Sequence, residues 1–168
     1  MTLWGGRCRA RPMPEFLVPR LIGGQHGGSH MKQSREWMCG THRSWFEPPD
    51  ILWQQFRGVT TLEETRWSVD VYREVAGYGP FYAAIDVTGS ELTADARKFL
   101  SENTRTEWLR GVVYIGAGFI QKAMTKSLMV VYLFDKKPPY DIVYAASMEE
   151  ARAWIERHRV KPQQRHAG

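Results

Sequence analysis

Strand-like and helix-like segments alternate from His42 to His158, and this alternation limits the possible folds more than any other feature of the chain. Successive parallel strands need a long crossover, which a helix supplies. Two strands joined by a short link must instead run antiparallel. A chain containing both kinds of link builds a mixed sheet.

The segments follow one another clearly. Trp37, Trp45 and Phe46 predict a first strand. Glu47-Pro48-Pro49-Asp50 ends it, because proline cannot donate to a central ladder. Residues 51–57 predict a second strand, closed by Gly58. Thr61 followed three residues later by Glu64 reads as a capping box. Leu62, Thr65, Val69, Tyr72 and Ala76 then recur at helical spacing, and Gly77 stops the helix. Residues 81–87 are continuously apolar up to Asp86, the pattern of a buried central strand. Thr93 caps a helix over 94–103, and 111–117 is another buried strand. A long helix is expected over 118–134, with Ile120, Met124, Leu128 and Val131 on one face. Residues 141–146 form the last strand. Ser147 and Glu150 open the final helix, whose stripe is Ala151, Trp154, Ile155 and His158. The predicted order is β-β-α-β-α-β-α-β-α. It makes an α/β protein with one mixed β-sheet and its helices packed on one face.

Domain organisation follows from composition. Residues 1–34 carry three Gly-Gly pairs and no hydrophobic period, so they are read as a disordered basic tail, an appended leader or an early start ahead of Met31. One domain spans 35–160, and 161–168 is a polar tail. The net charge of +5 lies entirely within residues 1–35, and the remaining chain is balanced. The folded part therefore has no excess charge for phosphates, and no specific nucleic acid is expected. Cys8 and Cys39 are the only cysteines and lack metal-ligand spacing, which predicts unpaired thiols in a reducing, cytoplasmic setting. No apolar run is long enough and free enough of charge to span a membrane.

No catalytic constellation lies over this frame. Gly116-Ala117-Gly118 sits between a strand and a helix, but Gln121 takes the place of the third glycine of a dinucleotide loop, so it reads as a plain turn. The five histidines show no ligand spacing, and there is no nucleophile elbow. No enzyme, metal or cofactor is therefore expected. Six tryptophans fall in the folded part and are read as core. The polar cluster Asp86, Thr88, Ser90 and Thr93 stands at the carboxyl end of a central strand, where ligands of α/β sheets gather. Turn and cap residues share that chemistry, so the cluster alone names no ligand.

Taken together, Trp45-Phe46-Glu47-Pro48-Pro49-Asp50, Thr61-Leu62-Glu63-Glu64, Ile85-Asp86-Val87, Ala96-Arg97 and Ser147-Met148-Glu149-Glu150-Ala151-Arg152-Ala153-Trp154 resemble the SpoIIAA-like proteins of the STAS class over most of 42–158. The resemblance implies a mixed sheet with helices on one face. It also implies a non-enzymatic protein-interaction module, as in anti-sigma-factor antagonists switched by serine phosphorylation. Relatives nearer to CRAL-TRIO-type domains imply an apolar-ligand carrier instead. The switch of the antagonists is an Asp-Ser-Ser-Gly-like turn, which here reads Leu92-Thr93-Ala94-Asp95-Ala96, with one hydroxyl and no glycine. The leading expectation is a domain that docks a protein partner through Asp86, Thr88, Ser90, Thr93 and Arg97, with Ser90 and Thr93 as candidate modification points. The alternative is a small apolar ligand held between the sheet and the 118–134 helix.

Overall fold

The computed structural model describes residues 8–12, 34–118 and 140–160. The strands are β1 (Cys8–Pro12), β2 (Arg35–Cys39), β3 (His42–Glu47), β4 (Ile51–Gln55), β5 (Gly58–Thr60), β6 (Phe81–Asp86), β7 (Ser90–Leu92), β8 (Leu109–Ile115) and β9 (Asp141–Ala145). The helices are α1 (Leu62–Ala76), α2 (Ala94–Asn103) and α3 (Met148–Val160). Seven strands form one mixed sheet in the order β1-β2-β3-β4-β6-β8-β9, and β5 with β7 forms a small parallel pair beside it. From β1 to β4 the neighbours are antiparallel, and from β4 to β9 they are parallel. The α/β class and the mixed sheet expected from sequence are present.

Three details depart from the expectation. The single strand expected over Trp37 to Phe46 is a hairpin, because Gly40, at φ 59°, turns the chain between β2 and β3. Cys8–Pro12, inside the segment read as a disordered tail, pairs antiparallel with β2. Cys39 is disulfide-bonded, and the one other cysteine of the chain, Cys8, stands opposite it in that register. Strand pairing brings together positions that no spacing rule connects. Cysteine usage therefore no longer argues for a reducing setting. The expected 118–134 helix lies, apart from Gly118, outside the described residues.

The expectation that all helices share one face is corrected by the placement of α3. The crossovers β4–α1–β6 and β6–α2–β8 step across the sheet in the same direction. Right-handed crossovers stepping the same way put their helices on the same face, and α1 and α2 pack together there. α3 lies in neither of these crossovers, so their handedness does not fix its side. It packs on the opposite face, over β6, β8 and β9.

The alternation of β6 supplies both faces at once. Phe81, Ala83 and Ile85 join Trp37, Phe46, Leu52, Trp67, Val71 and Val112 under α1. Tyr82 and Ala84 join Ile51, Trp53, Val113, Ile115, Ala151 and Ile155 under α3. All six residues of β6 are buried, as befits a parallel strand covered on both sides. At Gly111 the fit is close, since a Cβ would meet the Trp154 ring at 3.0 Å and Tyr82 at 3.2 Å and the rings would have to give by a few tenths of an ångström. Beyond α3 the second face is finished by a stack. The Arg43 guanidinium lies over Trp45, Trp45 stacks on Trp53 at 6.0 Å, and Arg152 lies over Trp53. Glu36 pairs with Arg43 and Glu47 with Arg152, so both ends of the stack are neutralised. Among the described residues no helix is long and apolar enough to cross a membrane.

Candidate functional site

Asp86 ends β6 at the carboxyl edge of the parallel strands. Its side chain is locked from two directions. Oδ2 accepts from the Arg57 guanidinium at 2.6 Å, and Oδ1 accepts from the Thr88 N–H at 3.0 Å. Burial pushes the carboxyl pKa up, but the bonds from Arg57 and Thr88 outweigh it and hold Asp86 below its ordinary value. The second of these bonds is an Asx-type turn, which sets Thr88 and Gly89 outward and exposed. The turn is also packed against β8. Gly116, at φ 67°, approaches so closely that a Cβ there would lie 1.9 Å from Thr88 Oγ1. Gly116, read from sequence as part of a plain βα turn, thus stands where the approach of Thr88 leaves no room for a Cβ.

A second loop is zipped to the first. Phe56 N–H donates to Asp86 O at 3.0 Å and Gly58 N–H to Gly89 O at 3.1 Å. β5 then runs parallel to β7, with Val59 opposite Glu91, and Thr93 N–H closes on Thr60 O at 3.2 Å. The result is a double-stranded projection standing off the main sheet. Val59, the middle residue of β5, is 60% exposed.

The sequence-predicted residues divide along this projection. Asp86, Thr88 and Ser90 share one turn. Thr88 is exposed, whereas Ser90 is buried and its hydroxyl donates to Val87 O at 3.1 Å. Ser90 is thus a turn-forming residue, withdrawn from any modifying enzyme in the folded chain. Thr93 occupies the N-cap of α2, with its hydroxyl bonded to Asp95. Arg97 follows in the first turn of α2, half-buried, its N–H bonded to Thr93 O at 3.0 Å. Asp95 is held below the usual carboxylate value, chiefly by the Thr93 hydroxyl.

Sequence reasoning placed His158 only on the buried stripe of the final helix and missed His42. His42 is 1% exposed and lies beneath the Phe56 ring. Its Nδ1 accepts the Arg57 N–H at 3.3 Å, and its Nε2 faces Glu64 Oε1 at 3.4 Å. Glu64 in turn accepts from the Thr61 N–H and hydroxyl at the start of α1. Burial raises the Glu64 pKa, and the Thr61 bonds together with His42 bring it below normal. At the other end of the sheet, His158 stands between Tyr82 and Asp141. Tyr82 Oη lies 2.9 Å from Nδ1, and Nε2 lies 3.3 Å from Asp141 Oδ2. This resembles a catalytic relay, but Tyr82 is 3% exposed, and burial together with the Asp50 charge raises its phenol pKa. The group ties α3 to β6 and β9. No spacing signal links these residues. The inward alternation His42, Ser44, Phe46 was the one hint available for the first of them.

Among the described residues no group of three or more His, Cys, Asp or Glu side chains is placed to hold a metal. The pocket expected beside the 118–134 helix lies outside the described residues. Comparison with family models, with characterised proteins and with solved structures gives no match.

Proposed function

We propose that the chain is a non-enzymatic, STAS-like interaction module that docks a protein partner through the projection formed by residues 56–60 and 86–93, together with the first turn of α2. One observation carries this reading. A carboxylate–guanidinium pair and three loop-to-loop backbone bonds tie together two loops that present an exposed valine and an exposed turn. A large apolar side chain held outward by a fixed framework loses little freedom on binding, which favours association. Glu91 stands opposite Val59 and Arg57 lies two residues before it, both exposed, and they supply charged neighbours to an apolar centre.

The test is site-specific cross-linking in the native host. A photoreactive side chain replaces Glu91, and a control chain carries it at Arg73 on the exposed face of α1. A discrete adduct from position 91 is expected, absent from position 73 and lost when Val59→Asp is added. Equal labelling from both positions, or labelling indifferent to Val59→Asp, would overturn the reading.

A further inference from the structure

We propose that His42 is a proton-operated latch on the 56–60 loop, holding the projection in place when neutral and releasing it when protonated. The inference rests on the docking reading above and supplies that surface with its regulation.

The argument begins with the tautomer. Nδ1 accepts the Arg57 N–H, so it carries no proton, and the ring's single proton sits on Nε2, facing Glu64. The imidazole thus bridges the loop after β4 and the first turn of α1. A second proton can enter only at Nδ1. There it meets the Arg57 N–H, leaving two donors facing each other in a site sealed from water. The bond is lost and one of the two groups must move. The ring is fixed on β3, so the loop yields.

Groups on every side of the ring bear on this change. From α1, the Glu64 carboxylate favours the imidazolium. From the loop, the Arg57 N–H opposes it, while the Arg57 guanidinium is already neutralised by Asp86. From β2, Cys39 stands opposite His42 and does not titrate, being disulfide-bonded. The Phe56 ring, 5.3 Å from the imidazole, keeps water out. Phe56 N–H and Gly58 N–H keep their own bonds to Asp86 and Gly89. Release is therefore a local loosening around Arg57 rather than an unfolding.

Amide hydrogen exchange on the full-length protein reads the latch directly, with Val113 in the central sheet as the internal reference. Histidine changes charge between about pH 8 and about pH 5. Across that range the protection of the Arg57 amide, corrected for its intrinsic rate, should fall about fivefold, the loss expected for one hydrogen bond. It should fall together with the titration of the His42 ring nitrogens. His42→Asn keeps an acceptor near the position of Nδ1 and cannot titrate, so it should hold the protection constant. His42→Phe should show the low protection at every pH, and if it does not fold, His42→Asn decides alone. A ring that stays neutral across that range, constant protection while the ring titrates, or an unchanged pH dependence in His42→Asn, would each overturn the latch. A pH-dependent Arg57 amide in a chain whose position-91 cross-linker forms no adduct would support the latch and remove the docking reading.

Discussion

At Asp86 one carboxylate does the work of two caps. It closes its own turn through Thr88 and it anchors the neighbouring loop through Arg57. Its lowered pKa has a definite consequence for stability. An aspartate is ordinarily half-protonated near pH ~3.9. With a folded value below that, the stability Asp86 contributes is complete above the ordinary value and is lost as pH falls through the lowered one. Asp86→Asn should therefore cost about 1 kcal/mol at neutral pH, the figure for a charge-assisted bond discounted because Arg57 is partly exposed. Urea melts at successive pH values should show the difference from the parent shrinking as the acid limit is approached. A gap that stays constant to the acid limit would show that the charge is not what Arg57 recognises. Asp86 and Thr88 were legible because polar residues after an apolar strand mark the carboxyl edge of a sheet. His42 was not, since its partners at 57 and 64 come near only after β3 and β4 pair and α1 docks. The burial of Ser90 was equally hidden, because turn chemistry gives a serine the same sequence signature whether it faces inward or out.

Elements were more readable than sites, and for a physical reason. Helix starts depend on local chemistry, so both capping boxes could be named from four-residue patterns. In α3, Glu150 N–H donates to Ser147 Oγ at 3.2 Å, and Glu150 Oε2 accepts from Ala146 N–H at 2.7 Å. Ser147→Ala should lower stability by about 1 kcal/mol, as usual for a lost N-cap, visible as a smaller denaturation midpoint with an unchanged slope. An unaltered midpoint would mean that Glu150 alone organises this end. The β2–β3 hairpin was missed because Trp37, Trp45 and Phe46 read as one aromatic run. Only the left-handed Gly40 reveals that the run reverses. β1 was missed because nothing local distinguishes Cys8–Pro12 from the glycine-rich residues around it. Its identity as a strand comes from the edge of β2.

The molecule as a whole is two unequal interiors sharing one sheet. The continuous apolar run of β6 marked a buried central strand, and the crossover rule accounts for α1 and α2 lying together. α3 lies outside both crossovers, so the handedness rule that pairs α1 with α2 does not assign its side. Ile155 is fully buried there, and Ile155→Ala should cost about 2–5 kcal/mol, as for large-to-small changes in a core. Thermal melting checks this, and a shift no larger than that of a surface substitution would show that α3 is only loosely seated. The position of α3 also bears on how the protein is made. Ile51, Trp53, Tyr82 and Val113 leave the ribosome well before the residues that cover them, so an apolar sheet face stays open during synthesis until 148–160 emerges. The nascent chain is therefore most vulnerable to sticking just before its last described helix is translated, and that is when a chaperone would have most to hold.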